Sequence, residues 1–175
     1  LASILRGNTE IPLLEERVKI LNDIGNILIE KYNGCFSEIV KKAEGDALKL
    51  LEIVLTSFPS FQDFETYKGK KIYFQKRAQG LVEGIYSIFN GKSYGSLKNI
   101  SSLTALADYI IPNMLREIGI LKYKKELKEK IDNKISLKKG NPEEVEIRAN
   151  TIWVIELMKR ELESKGIKVS ALNIN

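Results

Sequence analysis

Apolar residues recur every three or four positions along most of this chain, and this spacing limits the fold more than any other feature. The first series begins after Pro12, which suits a first helical turn, and it stops at Asn33-Gly34, where a helix commonly ends. Its apolar members are Leu14, Val18, Leu21, Ile24 and Leu28. Similar series follow along the chain, so the sequence predicts a compact all-α fold of several helices.

The later helices are predicted from the same spacing and from glycine and proline stops. They cover residues 36–43, 47–58, about 74–90, 109–118, 124–134 and 142 to about 162. The last helix has the clearest start, with Asn141 as N-cap, Pro142 at its first position and Glu143 in its first turn. Because residues 152–158 are apolar nearly all round, we expect that stretch to be buried. An ordered loop or a small strand pair is expected near residues 61–73.

Composition indicates one helical domain covering residues 1–175. The chain has 175 residues and is 43% hydrophobic, which is enough for one domain with a core. It contains no apolar run long enough to span a bilayer and no signal-peptide pattern, and its single cysteine, Cys35, cannot form an internal disulfide. We therefore expect a cytoplasmic protein with no membrane partner.

The absence of histidine restricts the chemistry available to the chain. Histidine is the commonest general acid or base and the commonest metal ligand, so catalysis here must use carboxylates, lysines, tyrosines or backbone groups. No metal and no cofactor are expected. The net charge of +5 suits an anionic partner, but the lysines are dispersed among 23 acidic residues and do not by themselves predict nucleic-acid binding.

The helix that contains Lys76 has one apolar side and one polar side that is rich in glycine. The polar side carries Lys76, Gly80, Glu83, Gly84 and Ser87. A glycine inside a helix costs about 1 kcal/mol relative to alanine, and it is often tolerated where a ligand or another backbone comes close. The polar side is therefore a candidate for close approach. The plainer interpretation, an exposed lysine beside tolerated glycines, is the more common one for such a pattern.

Asp108 has both a structural and a catalytic interpretation. It stands just before a helix with Pro112 in its first turn, which is typical of an N-cap whose carboxylate accepts hydrogen bonds from free N–H groups. The two interpretations are compatible, because an acid held at a helix N-terminus stays ionised and an ionised acid stabilises a developing cation.

Several short motifs, taken together and in register, are more specific than any single residue. They are Ile11–Val18, Gly34-Cys35-Phe36, Phe58–Asp63, Lys76-Arg77-Ala78-Gln79, Ala107-Asp108-Tyr109 with Pro112, and Glu146–Ala149. In order and spacing they resemble the queuosine salvage protein family. Members of that family are queuosine 5′-phosphate N-glycosidases with an all-helical fold related to the helix-hairpin-helix DNA glycosylases. The resemblance implies release of queuine for tRNA-modification salvage, with Asp108 as the chief catalytic group and Lys76 beside it.

The chain departs from the family pattern in two respects. The family commonly has an aspartate where this chain has Gly84, with Glu83 next to it. The family is also usually longer at its N-terminus, and this chain begins at Leu1. We therefore expect the chain to be the C-terminal part of a longer family fold, with part of the pocket wall missing.

The resemblance also suggests which residues contact the substrate, expected to be a small nucleotide. Tyr109 and Asn113 are expected on the pocket side of their helix, with Phe36 as a stacking surface. Glu83 is the candidate partner for the exocyclic cation of the base, and Lys76, Arg77 or a helix N-terminus for the 5′-phosphate. A separate expectation concerns Arg148, which has Glu146 and Glu156 as candidate partners in the core.

Other functions remain open at this stage. A DNA or RNA base glycosylase is the alternative suggested by the fold relationship and the basic charge, and it predicts salt-sensitive duplex binding. A non-catalytic helical binding protein is the other. Lys76 could attack the sugar as a nucleophile or could order the acid and the phosphate, and we favour the second role.

Overall fold

The computed structural model describes residues 11–174, and within this range eight α-helices follow the apolar series of the sequence. They are α1 (Leu14–Tyr32), α2 (Phe36–Lys42), α3 (Ala47–Ser57), α4 (Lys76–Ile88), α5 (Ile110–Glu117), α6 (Lys125–Asp132), α7 (Pro142–Ser164) and α8 (Ala171–Ile174). The prediction of a mostly helical fold is confirmed. The short helix α8 was not predicted from the sequence.

The helix boundaries follow the local signals in the sequence. Helix α1 ends where Asn33 and Gly34 adopt positive φ angles. The N–H of Glu143 donates to the side-chain oxygen of Asn141 at 2.9 Å, so the predicted N-cap of α7 is confirmed. Asp46 caps α3 in the same way, accepting from the N–H groups of Leu48 and Lys49. Such caps are worth about 1 kcal/mol each.

A two-stranded antiparallel hairpin lies between α3 and α4. Its strands are β1 (Phe64–Tyr67) and β2 (Lys70–Tyr73), and Phe64 is paired with Tyr73. The turn uses Lys68 and Gly69, both at positive φ, as a tight hairpin turn requires. The hairpin confirms the expected strand pair and brings the chain directly to the start of α4.

Most of the buried apolar residues form two clusters, and residues 103–105 pass from one cluster to the other. The larger core cluster is built mainly from α2, α3 and α4, and the smaller core cluster mainly from α5, α7 and α8. Leu103 belongs to the larger cluster and Ala105 to the smaller one. Burying a large apolar side chain is worth roughly 1.5–3 kcal/mol, so the burial of Leu103 anchors this segment in the larger cluster, and Ala105 adds a smaller contact to the other. Asp108 comes after Ala105 in the chain, just beyond the residues that the clusters hold.

The expected burial of residues 152–158 is wrong for most of that stretch, in which only Ile155 is fully buried. Ile155 is buried, but Trp153 and Leu157 are 53% and 46% exposed. Helix α7 packs on α5, α8 and β1, which cover one face of it and leave the face with Trp153 and Leu157 open. An apolar composition all round the helix was therefore a poor guide to burial.

The glycines of α4 do not serve a close approach by another part of the described protein, whereas approach by a ligand stays a prediction. A methyl group added at Gly80 would lie 3.7 Å from the Cδ1 atom of Leu106, an ordinary van der Waals distance. At Gly84 it would meet nothing within 4 Å. Both positions therefore have room for a side chain.

None of the helices within residues 11–174 is both long enough and apolar enough to cross a lipid bilayer.

Candidate active site

Lys76 and Asp108 form an ion pair at the boundary of the two clusters. The Nζ atom of Lys76 lies 2.8 Å from Oδ2 of Asp108, and the two side chains are 35% and 20% exposed. Lys76 is the first residue of α4, and Asp108 lies two residues before α5. The fold thus brings together two charged side chains that the sequence separates by a long stretch, and leaves both partly accessible.

The second carboxylate oxygen of Asp108 is held by the start of α5. Oδ1 accepts a hydrogen bond from the N–H of Ile110 at 2.8 Å. The predicted role at a helix N-terminus and the pairing with Lys76 are therefore both present in one side chain. Two oxygens with separate donors fix the orientation of the carboxylate.

The pKa of Asp108 lies below its usual value of 3.8. Burial raises this pKa, but the hydrogen bond and the charge of Lys76 lower it, as do the backbone N–H groups of Ile110 and Ile111, and together they outweigh burial. The carboxylate is therefore ionised at neutral pH. A fixed negative charge next to an open space can stabilise a cation that forms there.

The ion pair borders a cleft of about 990 Å³, which we call the Asp108 cleft. Its lining combines the ion pair and other polar groups with apolar side chains. The apolar lining residues include Ile110, Met114, Ile131, Ile135 and Leu137, and the polar ones include Tyr109, Asn113, Tyr123, Lys134 and Glu144. Its volume is at the upper end of that of small-molecule sites, and such sites commonly combine apolar walls with a few polar groups.

A second charged pair lies behind the first and is buried. The guanidinium of Arg148 donates to both carboxylate oxygens of Asp63, with distances of 3.1 Å to Oδ1 and 2.5 Å to Oδ2. It also stacks 3.9 Å from the ring centre of Phe74 and donates to Glu144 at 3.4 Å. Burial raises the pKa of Asp63, but Arg148 and the N–H of Lys76 hold it below the usual value.

The expected partners of Arg148 were therefore wrong. Glu146 accepts a hydrogen bond from Tyr67, and Glu156 is 3.9 Å from the ammonium of Lys159. Residues two apart on a helix point to different faces, whereas residues four apart share a face, so Glu144 and not Glu146 can reach Arg148.

Comparison with known proteins assigns the chain to a family. The family model described as queuosine salvage protein matches residues 1–175, which is the whole chain. The chain belongs to the queuosine salvage protein family. The resemblance stated from the sequence motifs is confirmed.

Curated relatives in this family carry the name queuosine 5′-phosphate N-glycosylase/hydrolase. The protein from Sphaerobacter thermophilus is 42% identical over 174 residues, which are 99% of this chain and 54% of the relative. The Bos taurus protein is 44% identical over 173 residues, 95% of this chain and 51% of the relative. The Schizosaccharomyces pombe protein is 33% identical over 175 residues, 99% of this chain and 51% of the relative. The chain spans about half the length of the curated relatives it matches.

Four of the residues predicted from the queuosine salvage resemblance meet in the Asp108 cleft. They are Lys76, Asp108, Tyr109 and Asn113. Tyr109 is 80% exposed at the mouth of the cleft, and the side-chain amide of Asn113 donates to Glu117 at 3.2 Å. The cleft thus contains the charged pair and side chains able to exchange hydrogen bonds with a polar ligand.

The other predicted substrate contacts lie elsewhere among the described residues. Phe36 packs against the larger core cluster, and the guanidinium of Arg77 donates to the backbone oxygen of Ser60. Glu83 accepts from Ser87 at 2.5 Å and borders a separate cleft that it shares with Glu163. The cleft lining found within residues 11–174 does not include these three side chains, which are already engaged in other contacts.

Reasoning from the sequence did not identify the bonds that two buried polar side chains make near the site. Gln79 is buried, and its side-chain oxygen accepts from the N–H of Thr104 at 2.7 Å while its amide donates to Phe74 at 3.0 Å. Arg148 is the other. Both belong to the quoted motifs, and a charged or amide side chain in an apolar helical series is the signal that could have identified them.

The described part of the chain offers no evident set of metal ligands. Within residues 11–174, no group of three or more histidine, cysteine, aspartate or glutamate side chains could hold a metal ion.

Proposed function

We propose that this chain hydrolyses the ribosyl bond of queuosine 5′-monophosphate, or of a related 7-deazaguanine nucleotide, and releases a queuine-type base. The observation that carries the proposal is the ionised carboxylate of Asp108, held at 2.8 Å by Lys76 on the wall of a cleft large enough for a nucleotide. Family membership supports the same assignment, and the names of the curated relatives specify queuosine 5′-phosphate.

The chemistry of the bond requires a negative charge beside the sugar. When the bond from C1′ to the base nitrogen breaks, positive charge develops on the ribose ring. Asp108 is ionised and partly shielded from water, so a ribose placed against it would have that charge stabilised. The same carboxylate could orient the water that attacks C1′. Both tasks depend on the oxygen atoms that face the cleft.

The leaving base needs hydrogen bonds at its other edges. A 7-deazapurine lacks the ring nitrogen at position 7, so it cannot be protonated there as it leaves. Tyr109, Asn113 and Tyr123 line the cleft and carry groups that can donate hydrogen bonds. The apolar side chains of Ile110 and Met114 offer a surface for the flat base. We assign the base to this part of the cleft.

Lys76 acts in this proposal as a charged group and not as a nucleophile. A nucleophilic lysine needs its Nζ free to reach C1′, whereas the Nζ of Lys76 is engaged in an ion pair 2.8 Å from the carboxylate of Asp108. The ammonium therefore orients the acid. It also provides, with Lys134, a cation in the cleft lining for the 5′-phosphate.

The experiment that tests the proposal compares substrates. The purified chain is incubated with queuosine 5′-monophosphate, with the nucleoside, and with a queuosine-containing oligonucleotide, and the released base is measured by chromatography. We expect release from the free nucleotide and much less from the oligonucleotide. Release mainly from the oligonucleotide would favour the nucleic-acid glycosylase alternative, and no release from any substrate would favour a binding protein.

A further inference from the structure

Arg148 contacts the segment that carries Asp108. Its Nε atom donates to the backbone oxygen of Ala107, the residue immediately before Asp108, at 3.3 Å. The remaining nitrogens of the guanidinium face Asp63 and Glu144. One buried side chain on α7 therefore holds the backbone from which the acid projects.

Asp63, the main partner of Arg148, contacts the segment that carries Lys76. Its Oδ2 atom accepts from the N–H of Lys76 at 3.3 Å. Its backbone oxygen accepts from the N–H groups of Phe74 and Gln75 at 2.9 and 3.1 Å. These bonds secure the first turn of α4, where Lys76 begins the helix.

Arg148 also reaches the lining of the Asp108 cleft. We propose that Arg148 and Asp63 form a positioning pair, which acts by setting the placement of Lys76 relative to Asp108 and not by binding the substrate. This inference rests on the proposed function, because it assigns the pair a role in that same site. The pair is buried, and the guanidinium plane is stacked on Phe74 at 3.9 Å, so the pair has little freedom to move. A displacement of about 1 Å in a catalytic group can cost about 10²-fold in rate.

The geometry requires an arginine. The planar guanidinium makes parallel bonds to both oxygens of Asp63 and still has Nε free to reach Ala107. A lysine ammonium is a single point of charge, so it could keep the attraction to Asp63 but could not make all three contacts. The Arg148→Lys variant keeps the positive charge but loses part of the bonding. It therefore distinguishes an effect of the charge from an effect of the bonds that position the two segments.

The test compares Arg148→Lys, Arg148→Met and Asp63→Asn by base release from queuosine 5′-monophosphate. Kinetics are measured at a temperature at which circular dichroism shows every variant to be folded. We expect Arg148→Met to lower kcat by about 10²-fold while KM changes by less than about threefold. Arg148→Lys should recover part of that loss, and Asp63→Asn should resemble Arg148→Met.

The matched control is Lys130→Met. Lys130 makes another charged contact to α7, with 2.8 Å distances to both carboxylate oxygens of Glu143. Among the hydrogen bonds of residues 11–174, those of Lys130 do not reach the segments at 63, 76 or 107. We expect its kcat to stay within about twofold of the unsubstituted chain. A folded Arg148→Met variant with unchanged kcat, or an equal loss in Lys130→Met, would overturn the proposal.

A second measurement does not depend on catalysis. Hydrogen exchange of the Lys76 and Ile110 amides, which donate to Asp63 and Asp108, reports how firmly the two segments are held. We expect faster exchange at both amides in Arg148→Met and no change in Lys130→Met. If the unsubstituted chain releases no base, the proposed function fails, while unchanged exchange in Arg148→Met would refute the positioning pair by itself.

Discussion

The Arg148–Asp63 pair and the Lys76–Asp108 pair differ in how completely their carboxylates are surrounded. Asp63 is buried, and both of its oxygens are taken by the guanidinium of Arg148. One carboxylate oxygen of Asp108 contacts the ammonium of Lys76, and the other accepts from the N–H of Ile110. The Asp108 side chain borders the cleft and is 20% exposed. The two pairs are joined, since Asp63 accepts from the backbone N–H of Lys76.

The difference shows how one fold can use the same type of interaction in two ways. A carboxylate with all its hydrogen-bonding positions filled and no access to solvent holds structure but cannot meet a substrate. A carboxylate that is oriented but still open on one side can stabilise charge on an incoming ligand. Loss of the buried pair should therefore lower both stability and reaction rate, whereas loss of the open pair should lower mainly the reaction rate.

Asp108→Asn should have the largest effect on rate. Asparagine keeps a side-chain oxygen that can accept from the N–H of Ile110, so this bond can remain and the fold should be retained. Because the negative charge is lost, we expect base release to fall by at least about 10³-fold, or about 4 kcal/mol of transition-state stabilisation. Single-turnover base release measures this, with thermal unfolding as a control. Near-normal turnover by a folded variant would show that the reaction does not need the negative charge of Asp108.

Asp63→Ala should have the largest effect on stability. Removing one partner of a buried pair leaves the other charge uncompensated, which costs about 3–5 kcal/mol. We expect the lower end, about 3 kcal/mol, because Glu144 remains 3.4 Å from the guanidinium of Arg148. Urea unfolding measures the change, and Lys76→Ala is the comparison, since a pair that is this exposed contributes about 1 kcal/mol or less. Equal losses would contradict the contrast between the two pairs.

Lys76→Ala should reduce base release less than Asp108→Asn does. The acid keeps its bond to Ile110, so its charge remains while its orientation and the contact to the phosphate weaken. We expect a loss of about 10-fold to 10²-fold. Borohydride added during turnover of the unsubstituted chain should trap no adduct between enzyme and sugar. A trapped adduct that disappears in Lys76→Ala would instead make Lys76 a nucleophile.

The pH dependence of stability and turnover between pH 7 and 5 should be the smallest of the expected effects. The pKa values of Asp63 and Asp108 are both lowered from 3.8, so the stability that these carboxylates contribute is present above about pH 4 and is lost as pH falls through the lowered values. Urea unfolding and turnover should thus vary little with these groups between pH 7 and 5. In Lys76→Ala the pKa of Asp108 rises, so the acid limb of turnover should move to higher pH. An unmoved acid limb would show that this limb reports another group.

Local signals predicted most of the fold, and long-range contacts account for what was missed. The cap at Asn141, the stop at Asn33-Gly34 and the apolar spacing are encoded within a few residues of where they act. The bond between Asp63 and Arg148 joins positions 85 residues apart, and no periodic pattern specifies that distance. The exposed Trp153 was missed for a similar reason, because burial depends on which elements pack nearby.

The candidate site was predictable only in part. Lys76 and Asp108 were identified because the family motifs name them, and Tyr109 and Asn113 because helix geometry places them after the acid. Phe36 was assigned to stacking by residue type alone, and packing against the larger core cluster explains why it lies away from the cleft. Its role as a substrate contact, like the likeness to helix-hairpin-helix glycosylases, stays a prediction.

The passage of residues 103–105 between the two core clusters has a consequence for protein engineering. Leu103 is buried in the larger core cluster and Ala105 in the smaller one. The position of Asp108 at the cleft therefore depends on how the two clusters are placed relative to each other. A substitution that enlarges a side chain in either cluster to raise the melting temperature would also shift the carboxylate of Asp108. Heat-tolerant variants selected without an activity screen should therefore accumulate losses of turnover, even when every change lies far from the substrate.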